Sequence, residues 1–397
     1  MEWKEVRLGD VCSELSDGLH KAPKFIEKGE YIFVNAKNLY NGYILDNDPT
    51  KKTSREEYLK YKKPLGKHTI LYSIDGTIGN IARYRGEKCV LGKGACYLNC
   101  NPQIVESSYL YYQLQGPHFK SYIHLMSTGS TIKHISLKTM REYVFELPSL
   151  TDQRRIASIL SSLDRKIELN NKINADLEEM AQAIFKNWFV DFEPFKDGKF
   201  VDSELGMIPE GWKVGSPYEY VKVVYGAPYK SAKFNDNGEG LPLIRIRDLK
   251  DCNPQFYTPE ILPQTEYVNM GDIVAGMDAE FVPHIWKGNT GLLNQRVCKL
   301  MPQQTSISNL FVLYLMKPEL EFVQSYKTGT TVSHLGKADI DKFVVVLPPL
   351  KVVEECSKIL DSILQRIKNI SAESRNLSLL RDTLLPRLMS GEIEVPE

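Results

Sequence analysis

The residues that could do chemistry in this 397-residue sequence form none of three common catalytic motifs. The one Pro-Pro pair, Pro348-Pro349, is followed by a leucine, whereas an adenine methyltransferase needs an aromatic residue there to stack the flipped base. No Gly-Lys pair precedes Ser or Thr, so the phosphate-binding GxxxxGK[ST] loop is missing. No histidine precedes a glutamate, so the HExxH motif is missing too. The sequence therefore predicts a non-catalytic protein without a metal site.

The cysteines point the same way. There are seven, an odd number, and none forms a CxxC pair, so neither a disulfide framework nor a zinc ribbon is predicted. We expect most of them to be reduced thiols in the core. They are Cys12, Cys89, Cys96, Cys100, Cys252, Cys298 and Cys356.

Composition limits the class of protein. The chain is 42% hydrophobic and 25% charged, which is ordinary for globular proteins and allows two or three domains. Its first residues, MEWKEVRLGD, are charged where a signal peptide has an apolar run, and no apolar stretch approaches the ~18 residues needed to span a bilayer. We therefore expect a soluble, cytoplasmic protein.

Charge is balanced overall but concentrated locally. The net formal charge is zero, so the chain as a whole lacks the basic footprint that phosphate contacts usually leave. Between residues 51 and 67, however, seven cations outnumber two glutamates, and two tyrosines lie among them. This basic segment is either a strip that contacts phosphates or a solvated helix face. Its cations are Lys51, Lys52, Arg55, Lys60, Lys62, Lys63 and Lys67.

An internal repeat organises the chain. The motif Thr-Gly-Ser-Thr at 128–131, with His134 and Leu147-Pro148, returns 200 residues later as Thr-Gly-Thr-Thr at 328–331, with His334 and Leu347-Pro348. More loosely, 33–39 resembles 243–249, and 69–75 resembles 272–278. The chain is thus a tandem duplication. Each copy opens with Trp-Lys, but the second lacks the Leu-Gly-Asp at 8–10, so its first strand or turn is expected to differ.

Each copy combines a mixed domain with a long helix. Short β-rich runs at 69–72, 144–147 and 344–347, punctuated by Gly and Pro, predict an α+β domain. After Leu150 an apolar stripe at a spacing of three and four predicts a helix of roughly 38 residues, with Thr151-Asp152 as its cap. The stripe contains Ile156, Leu160, Leu163, Ile167, Leu177, Ala181 and Ile184, and the second copy has Leu360, Ile363, Ile367, Ile370, Leu377 and Leu384.

The two stripes should pack against each other, because neither helix can leave so much apolar surface in water. Repeated units usually associate about a two-fold axis, which predicts an antiparallel coiled coil. Asn170 and Asn174 interrupt the first stripe; they either fix the register or face water. The predicted organisation is domain 1 at 1–150, central helix 151–190, linker 191–211, domain 2 at 212–350 and C-terminal helix 351–390.

These segments together resemble the specificity subunits of type I restriction-modification systems. The resemblance rests on 147–173 (LPSLTDQRRIASILSSLDRKIELNNKI), 183–195 (AIFKNWFVDFEPF), 200–213 (FVDSELGMIPEGWK), 271–281 (GDIVAGMDAEF), 292–297 (LLNQRV) and 384–395 (LLPRLMSGEIEV). It covers both copies in the same order.

The resemblance implies a function and a set of partners. It implies two target-recognition domains, each reading one half of an interrupted double-stranded DNA target, and two antiparallel helices that bind two methyltransferase subunits. Because Arg245 and Arg247 stand where the first copy has Asn35 and Lys37, we expect the two halves to differ and the target to be asymmetric. Restriction subunits that translocate with ATP would join this core. The specificity subunit itself would hold neither S-adenosylmethionine nor ATP.

Candidate base readers are polar residues on predicted loops, because Arg, Lys, Asn, Gln and carboxylates distinguish base edges in the major groove. For domain 1 they are Asn35, Lys37, Asn38, Ser73, Asp75, Thr77 and Lys93. For domain 2 they are Arg245, Arg247, Asp278, Glu280, Asn294, Gln295 and Arg296. For each of them the alternative is a structural role, such as capping a turn or satisfying buried backbone.

The repeated hydroxyl-rich motif has a different logic. It recurs in both copies although the candidate readers differ, so it fits either contacts to phosphates or a hydrogen-bonded turn. Its members are Thr128, Ser130, Thr131 and His134, then Thr328, Thr330, Thr331 and His334.

Two alternatives to DNA recognition stay open. The first is a non-catalytic adaptor whose end domains bind proteins and whose coiled coil spaces them, which the neutral net charge favours. The second is a hydrolase with an unrecognised site. If DNA is the ligand, the stripe from Leu160 to Ile184 rises about 36 Å at ~1.5 Å per residue, close to one turn of B-DNA at ~34–36 Å.

Overall fold

A computed structural model describes residues 3–47, 50–127, 134–327 and 334–395. It divides into two compact units. Unit 1 contains residues 3–166 and 377–395, and unit 2 contains 167–376. Each unit holds one mixed domain together with a portion of each long helix, so the boundary between units cuts both helices.

Unit 1 begins with short strands and ends in helices. Its elements are β1 (Lys4–Arg7), β2 (Cys12–Asp17), β3 (Phe25–Ile26), β4 (Tyr31–Val34), β5 (Leu39–Tyr40), β6 (Tyr43–Ile44), β7 (Lys52–Thr53), α1 (Arg55–Tyr61), β8 (Thr69–Ser73), β9 (Ile81–Arg83), β10 (Cys89–Leu91), β11 (Ala95–Cys100), α2 (Ser107–Gln113), α3 (Pro117–Ser127), α4 (Leu137–Glu142) and β12 (Val144–Leu147). The first long helix, α5 (Leu150–Phe189), follows.

Unit 2 repeats this plan. Its elements are β13 (Phe200–Val201), β14 (Ile208–Pro209), β15 (Lys213–Gly215), β16 (Val221–Tyr225), β17 (Leu241–Ile244), β18 (Tyr257–Thr258), β19 (Tyr267–Val268), β20 (Ile273–Gly276), β21 (His284–Ile285), β22 (Gly291–Leu293), β23 (Val297–Pro302), α6 (Asn309–Lys327), α7 (Lys337–Ile340) and β24 (Val345–Leu347). The second long helix, α8 (Leu350–Met389), ends the series.

The sheets confirm the predicted duplication. Unit 1 has an antiparallel sheet in the order β2-β11-β8-β9, and unit 2 has β16-β23-β20-β21 in the same order. A second sheet in each unit contains a parallel pair, β4 with β10 and β17 with β22. The units differ at the edges of this second sheet, where β3 and β19 are added on different sides.

The central strands have both faces covered. In β8, Ile70 and Tyr72 pack into one cluster with the helices, whereas Leu71 packs into another with the β4–β10 sheet. In β20, Ile273 and Val274 likewise pack into two different clusters, one on each face of the sheet. Because successive side chains of a strand point to opposite faces, a strand buried on both sides reads as a continuous apolar run. This run is the signal that predicted a strand at 69–72.

The first strand recurs in both units, but the turn after it differs. β1 pairs with β12, and β15 pairs with β24 in the same antiparallel way. After β1, the backbone N–H groups of Leu8 and Gly9 donate to the Tyr143 and Arg141 carbonyls. After β15, Ser216 caps a 3-10 turn at Pro217–Glu219. The missing Leu-Gly-Asp therefore changes the turn and leaves the strand intact.

Both long helices bury the predicted stripe. Leu160, Ala181, Leu360 and Ile367 are fully buried, and the other predicted stripe residues are buried or half-buried. The first cap was placed wrongly: Ser149, and not Thr151-Asp152, accepts the backbone N–H of Asp152 at 3.2 Å. The hydroxyl of Ser149 also donates to the Asp152 carboxylate, so the pair closes the first turn.

The helices pack antiparallel, as predicted. In unit 2, Asn170 Nδ2 donates to Glu373 Oε2 at 2.8 Å, and Asn174 Nδ2 donates to Ser371 Oγ at 3.0 Å. Residue numbers thus increase along α5 in the direction in which they decrease along α8. Both asparagines are buried, with exposed fractions of 1% for Asn170 and 4% for Asn174. The water-facing alternative was therefore wrong. In unit 1, Asp164 of α5 accepts from Arg381 of α8 at 2.9 Å.

Residues 191–211 form a packed connection. A 3-10 turn at Glu193–Phe195 is followed by the β13–β14 hairpin. Phe195 and Trp212 meet with ring centroids 5.1 Å apart, and Phe192 contacts the same indole at 5.3 Å. The segment predicted as a linker thus contributes aromatic side chains to unit 2.

Candidate nucleic-acid interface

In unit 1, three of the predicted readers meet on one concave surface. Asn35 follows β4, Asp75 follows β8, and Lys93 lies in the turn between β10 and β11. The concavity has a volume of about 460 Å³ and is open to solvent. Lys93 Nζ lies 3.6 Å from Asp75 Oδ2, and a backbone bridge joins Asp75 to His134. We call Asp75, Lys93 and His134 loop cluster 1.

Unit 2 has the equivalent group, loop cluster 2, formed by Asp278, Arg296 and His334. Asp278 follows β20, and its backbone bridges to His334 as Asp75 does to His134. Its Oδ1 accepts a hydrogen bond from His334 Nδ1 at 2.8 Å, and its Oδ2 lies 3.4 Å from Arg296 Nε. The two clusters therefore share a carboxylate but carry different cations.

The residue after each aspartate has a left-handed backbone. Gly76 has a φ of 73°, and Ala279 has a φ of 61°. Glycine adopts this region freely, whereas for alanine it costs about 1–2 kcal/mol. The tight turn is closed in unit 2 by the Glu280 N–H donating to the Asp278 carbonyl at 2.7 Å. The shared turn fixes the direction of each aspartate backbone.

Several predicted readers have structural roles here. The Asn38 carboxamide is 2% exposed; it accepts the Asn35 N–H at 3.0 Å and donates to the Leu45 carbonyl and the Thr50 hydroxyl. Ser73 is fully buried and accepts the Asn80 N–H. Both side chains are buried and hydrogen-bonded within the protein, so this structure does not present them to a base.

Two candidates of unit 2 are also engaged. The Arg245 guanidinium donates to Asp248 at 3.1 and 3.3 Å and lies 4.4 Å above the Phe256 ring. Asn294 is half-buried, and its carbonyl and Oδ1 accept the N–H groups of Val297 and Arg296. These contacts explain both residues as parts of local turns.

The remaining described candidates are exposed on loops. Lys37 and Arg247 occupy the same position of equivalent 3-10 turns, Ala36–Asn38 and Ile246–Asp248. The exposed set is Lys37, Thr77, Arg247, Glu280 and Gln295. Thr128, Ser130, Thr131, Thr328, Thr330 and Thr331 lie outside the described residues, and only the histidines of the repeated motif, His134 and His334, lie within them.

The basic segment forms part of the surface of unit 1. α1 begins after Ser54, which accepts the Glu57 N–H, and Tyr58 stacks on Tyr31 with centroids 4.5 Å apart. Lys51, Arg55, Lys60, Lys62 and Lys67 are exposed. Lys52 pairs with Asp46 at 3.0 Å. Only Arg55 and Lys60 of the seven cations lie in α1, so the helix-face interpretation covers those two alone. The other five lie outside the helix, and most of the positive charge of the segment is exposed.

Sequence reasoning missed residues that shape the site. His20 lines the concavity of unit 1, where its Nε2 lies 2.8 Å from Asp17 Oδ2. Gly18 and Gly226 occupy equivalent positions. A Cβ on Gly18 would lie within 2.5 Å of backbone atoms at the end of β10, and a Cβ on Gly226 would do the same at the end of β22. A glycine directly after β2 and after β16 was the available signal. In unit 2, burial lowers the pKa of His284, which lies 3.8 Å from Glu280.

Two structural features are absent from the part of the chain that the structure describes. There, no group of three or more His, Cys, Asp or Glu side chains is arranged to hold a metal ion. Among the same residues, no helix combines the length and apolar character needed to cross a membrane.

Comparison with known proteins decides the family. Residues 1–179 and 209–377 match the family model of the type I restriction modification DNA specificity domain. The chain belongs to this specificity-domain family. The two matched segments correspond to the two copies of the internal repeat, so the chain carries two specificity domains.

Relatives of this specificity-domain protein align along its whole length. The MjaIX specificity subunit of a type I restriction enzyme from Methanocaldococcus jannaschii is 27% identical, with 100% of this chain and 94% of the relative covered. The HindI specificity subunit from Haemophilus influenzae is 23% identical, with 99% and 100% covered. The crystal structure of an S subunit from M. genitalium is 17% identical with a TM-score of 0.55, covers 98% and 96%, and shares the fold.

Proposed function

We propose that this chain is the non-catalytic subunit that recognises a two-part, interrupted DNA target for a type I restriction-modification complex. Each specificity domain would read one part with its loop cluster and the exposed loop residues around it. The observation that carries the proposal is the pair of equivalent clusters, in which Asp75 and Asp278 hold different cations, Lys93 and Arg296. Unlike readers predict unlike half-sites, and therefore an asymmetric target.

The proposal includes partners and places the chemistry on them. We expect the long helices to bind two methyltransferase subunits and the assembled core to recruit restriction subunits. S-adenosylmethionine and ATP would be held by those partners and not by this chain. A cytoplasmic location follows from the proposal, because cellular DNA would be the ligand.

Binding to duplex DNA at increasing salt tests the proposal directly. A chain that neutralises several phosphates releases counterions, so affinity for random duplex should fall steeply between about 50 and 200 mM salt. Lys60→Gln and Lys62→Gln on the basic segment should reduce the salt slope if that segment contacts phosphates. Weak binding with no salt dependence would favour the alternative, an adaptor whose domains bind proteins, which the zero net charge supports.

Activity assays separate this subunit from its partners. The purified chain should show neither methyl transfer nor nuclease activity, and adding the methyltransferase partner should produce methylation at one sequence motif. Exchanging the first domain for that of another family member should change only one half of that motif. A change in both halves would mean that the domains do not read independently.

A further inference from the structure

We propose that Arg296 reads a guanine in the half-site of unit 2 and that Asp278 is a positioning residue for it, not a reader. This inference rests on the proposed function, since it assigns roles within loop cluster 2. All three residues of the cluster were candidate DNA-contacting residues in the sequence. The proposal assigns contact with the base to Arg296 and the support of its side chain to Asp278 and His334.

The Arg296 side chain is held at one end and free at the other. Asp278 Oδ2 lies 3.4 Å from Nε, and the side chain is 55% exposed. Among the described residues, the terminal Nη groups have no hydrogen-bond partner. An ion pair through Nε leaves the two Nη groups of the exposed guanidinium as a planar fork for a ligand, and such a fork matches guanine O6 and N7.

The Asp278 carboxylate is already engaged. Its Oδ1 accepts from His334 Nδ1 at 2.8 Å, its Oδ2 faces Arg296, and the side chain is only 24% exposed. With both oxygens already facing a partner, this carboxylate has fewer lone pairs left for a cytosine amino group than a free carboxylate has. Asp278 therefore fits the support of a reader better than a reader.

The support is itself anchored on both sides. Lys327 Nζ donates to the His334 carbonyl at 2.8 Å and to Asp339 at 2.7 Å. The Met277 N–H donates to the Arg296 carbonyl at 2.9 Å, which ties the arginine backbone to the strand that leads into Asp278. Ala279 follows Asp278 in a left-handed conformation that alanine rarely adopts. Strained backbone of this kind is concentrated at ligand-binding sites, where the surrounding structure maintains it.

Loop cluster 1 supplies an internal comparison. Its cation is Lys93, whose Nζ lies 3.6 Å from Asp75. An ammonium is a compact point charge without the planar fork, so its contact with a guanine is less directional than that of a guanidinium. The two clusters therefore have one scaffold, and the guanine contact through a planar fork is assigned to unit 2 alone.

The experiment uses the full chain assembled with its methyltransferase partner and duplexes that carry each single base substitution of the target. In Arg296→Lys, which keeps the charge but not the planar fork, discrimination at one guanine should fall; the upper limit is the complete loss of one bidentate pair, about 5- to 150-fold. Asp278→Asn should weaken discrimination at the same guanine about two- to fivefold, in the range of an exposed ion pair. The half-site read by unit 1 and the exposed-loop variant Asp236→Asn serve as controls, and both should keep wild-type selectivity.

Replacing that guanine by 7-deazaguanine gives a readout that a merely structural role would not change. The analogue lacks the N7 acceptor, so the wild-type complex should lose affinity for it, whereas Arg296→Ala, whose side chain has no donor, should be insensitive. Unaltered selectivity in Arg296→Lys, or lost selectivity at a base other than guanine, would overturn the assignment. A complex that binds no duplex would instead overturn the proposed function, and the two failures are thus distinct.

Discussion

The buried polar pair between the long helices gives a quantitative prediction. Asn174 and Ser371 are 4% and 6% exposed and share one hydrogen bond of 3.0 Å. Asn174→Ala removes one partner and leaves the Ser371 hydroxyl buried without its hydrogen bond, which costs about 1–3 kcal/mol. For a unit of this size, each 1 kcal/mol lowers Tm by about 2–4 °C. The expected loss is therefore roughly 2–12 °C.

Removing both polar groups should reverse the loss. The Oδ1 of Asn174 already has no hydrogen-bond partner among the described residues, so the wild-type pair is incompletely satisfied. In Asn174→Leu combined with Ser371→Ala, apolar surface replaces both groups, and stability should return to the wild-type value or exceed it. The neighbouring Asn171 is exposed, and Asn171→Ala should stay within about 0.5 kcal/mol of wild type.

Urea unfolding of the full chain, followed by helical circular dichroism, measures these changes. The wild type, Asn174→Leu, Ser371→Ala and the double variant form a cycle that gives the coupling energy between the two residues. If Asn174→Ala is as stable as Asn171→Ala, the hydrogen bond contributes nothing. If the double variant is less stable than both single variants, the reasoning about unsatisfied buried groups fails.

Four further predictions concern other parts of the molecule. Partial burial alone would raise the pKa of Asp339, but hydrogen bonds from Lys327 Nζ and the Gly336 N–H outweigh it and lower that pKa. The ionised Asp339 therefore stabilises the folded state above the unfolded pKa of about 3.9. This stabilisation is lost as the pH falls through the folded pKa. The difference in urea midpoint between wild type and Asp339→Asn should therefore shrink below about pH 4, and a constant difference would contradict this. Burial raises the pKa of Cys89, Cys298 and Cys356 to about 12, so these thiols should resist iodoacetamide at pH 8 until the chain unfolds, as mass spectrometry would show; rapid labelling of the native protein would refute the assignment. Ala279→Gly should raise the free energy of unfolding by up to about 1 kcal/mol, because glycine relieves the left-handed strain at some entropic cost, and a lower urea midpoint would argue against that strain. Inserting residues into α5 alone should change the unread spacer of the methylated motif and leave both half-sites intact; unchanged spacing would remove the helix from any role in setting that distance.

The regular elements could be predicted because they follow from periodicity. The stripe from Ile156 to Ile184 has the spacing of a helix face, and the structure buries it over a helix of 40 residues. The equivalence of Asp75 and Asp278 was also visible, since each follows a buried strand at the same place in the repeat. In these cases the neighbours along the chain determine the outcome, and the sequence therefore contains the necessary information.

The role of individual loop residues could not be predicted in the same way. Asn38 and Lys37 are adjacent and similarly polar, yet Asn38 is buried in a turn while Lys37 is exposed. The Arg245 guanidinium is bound by Asp248 and lies over the Phe256 ring, whereas that of Arg296 is not held in this way. These differences depend on hydrogen bonds and ring contacts formed only when the turn closes. The close approach at Gly18 depends on a strand more than 70 residues away along the chain, which no local pattern reports.

The discontinuity of unit 1 has a consequence for synthesis on the ribosome. Residues 377–395 complete its core, where Leu388 and Val395 pack with Ile156 and Leu160. They are translated only after all of unit 2, and at about 5–20 residues per second that delay is on the order of 10–40 s. During this interval the nascent first domain lacks its last packing segment, and the matching segment of another newly made chain could take its place. This order of translation therefore favours one kind of misassembly, the exchange of α8 between two newly made copies of the chain.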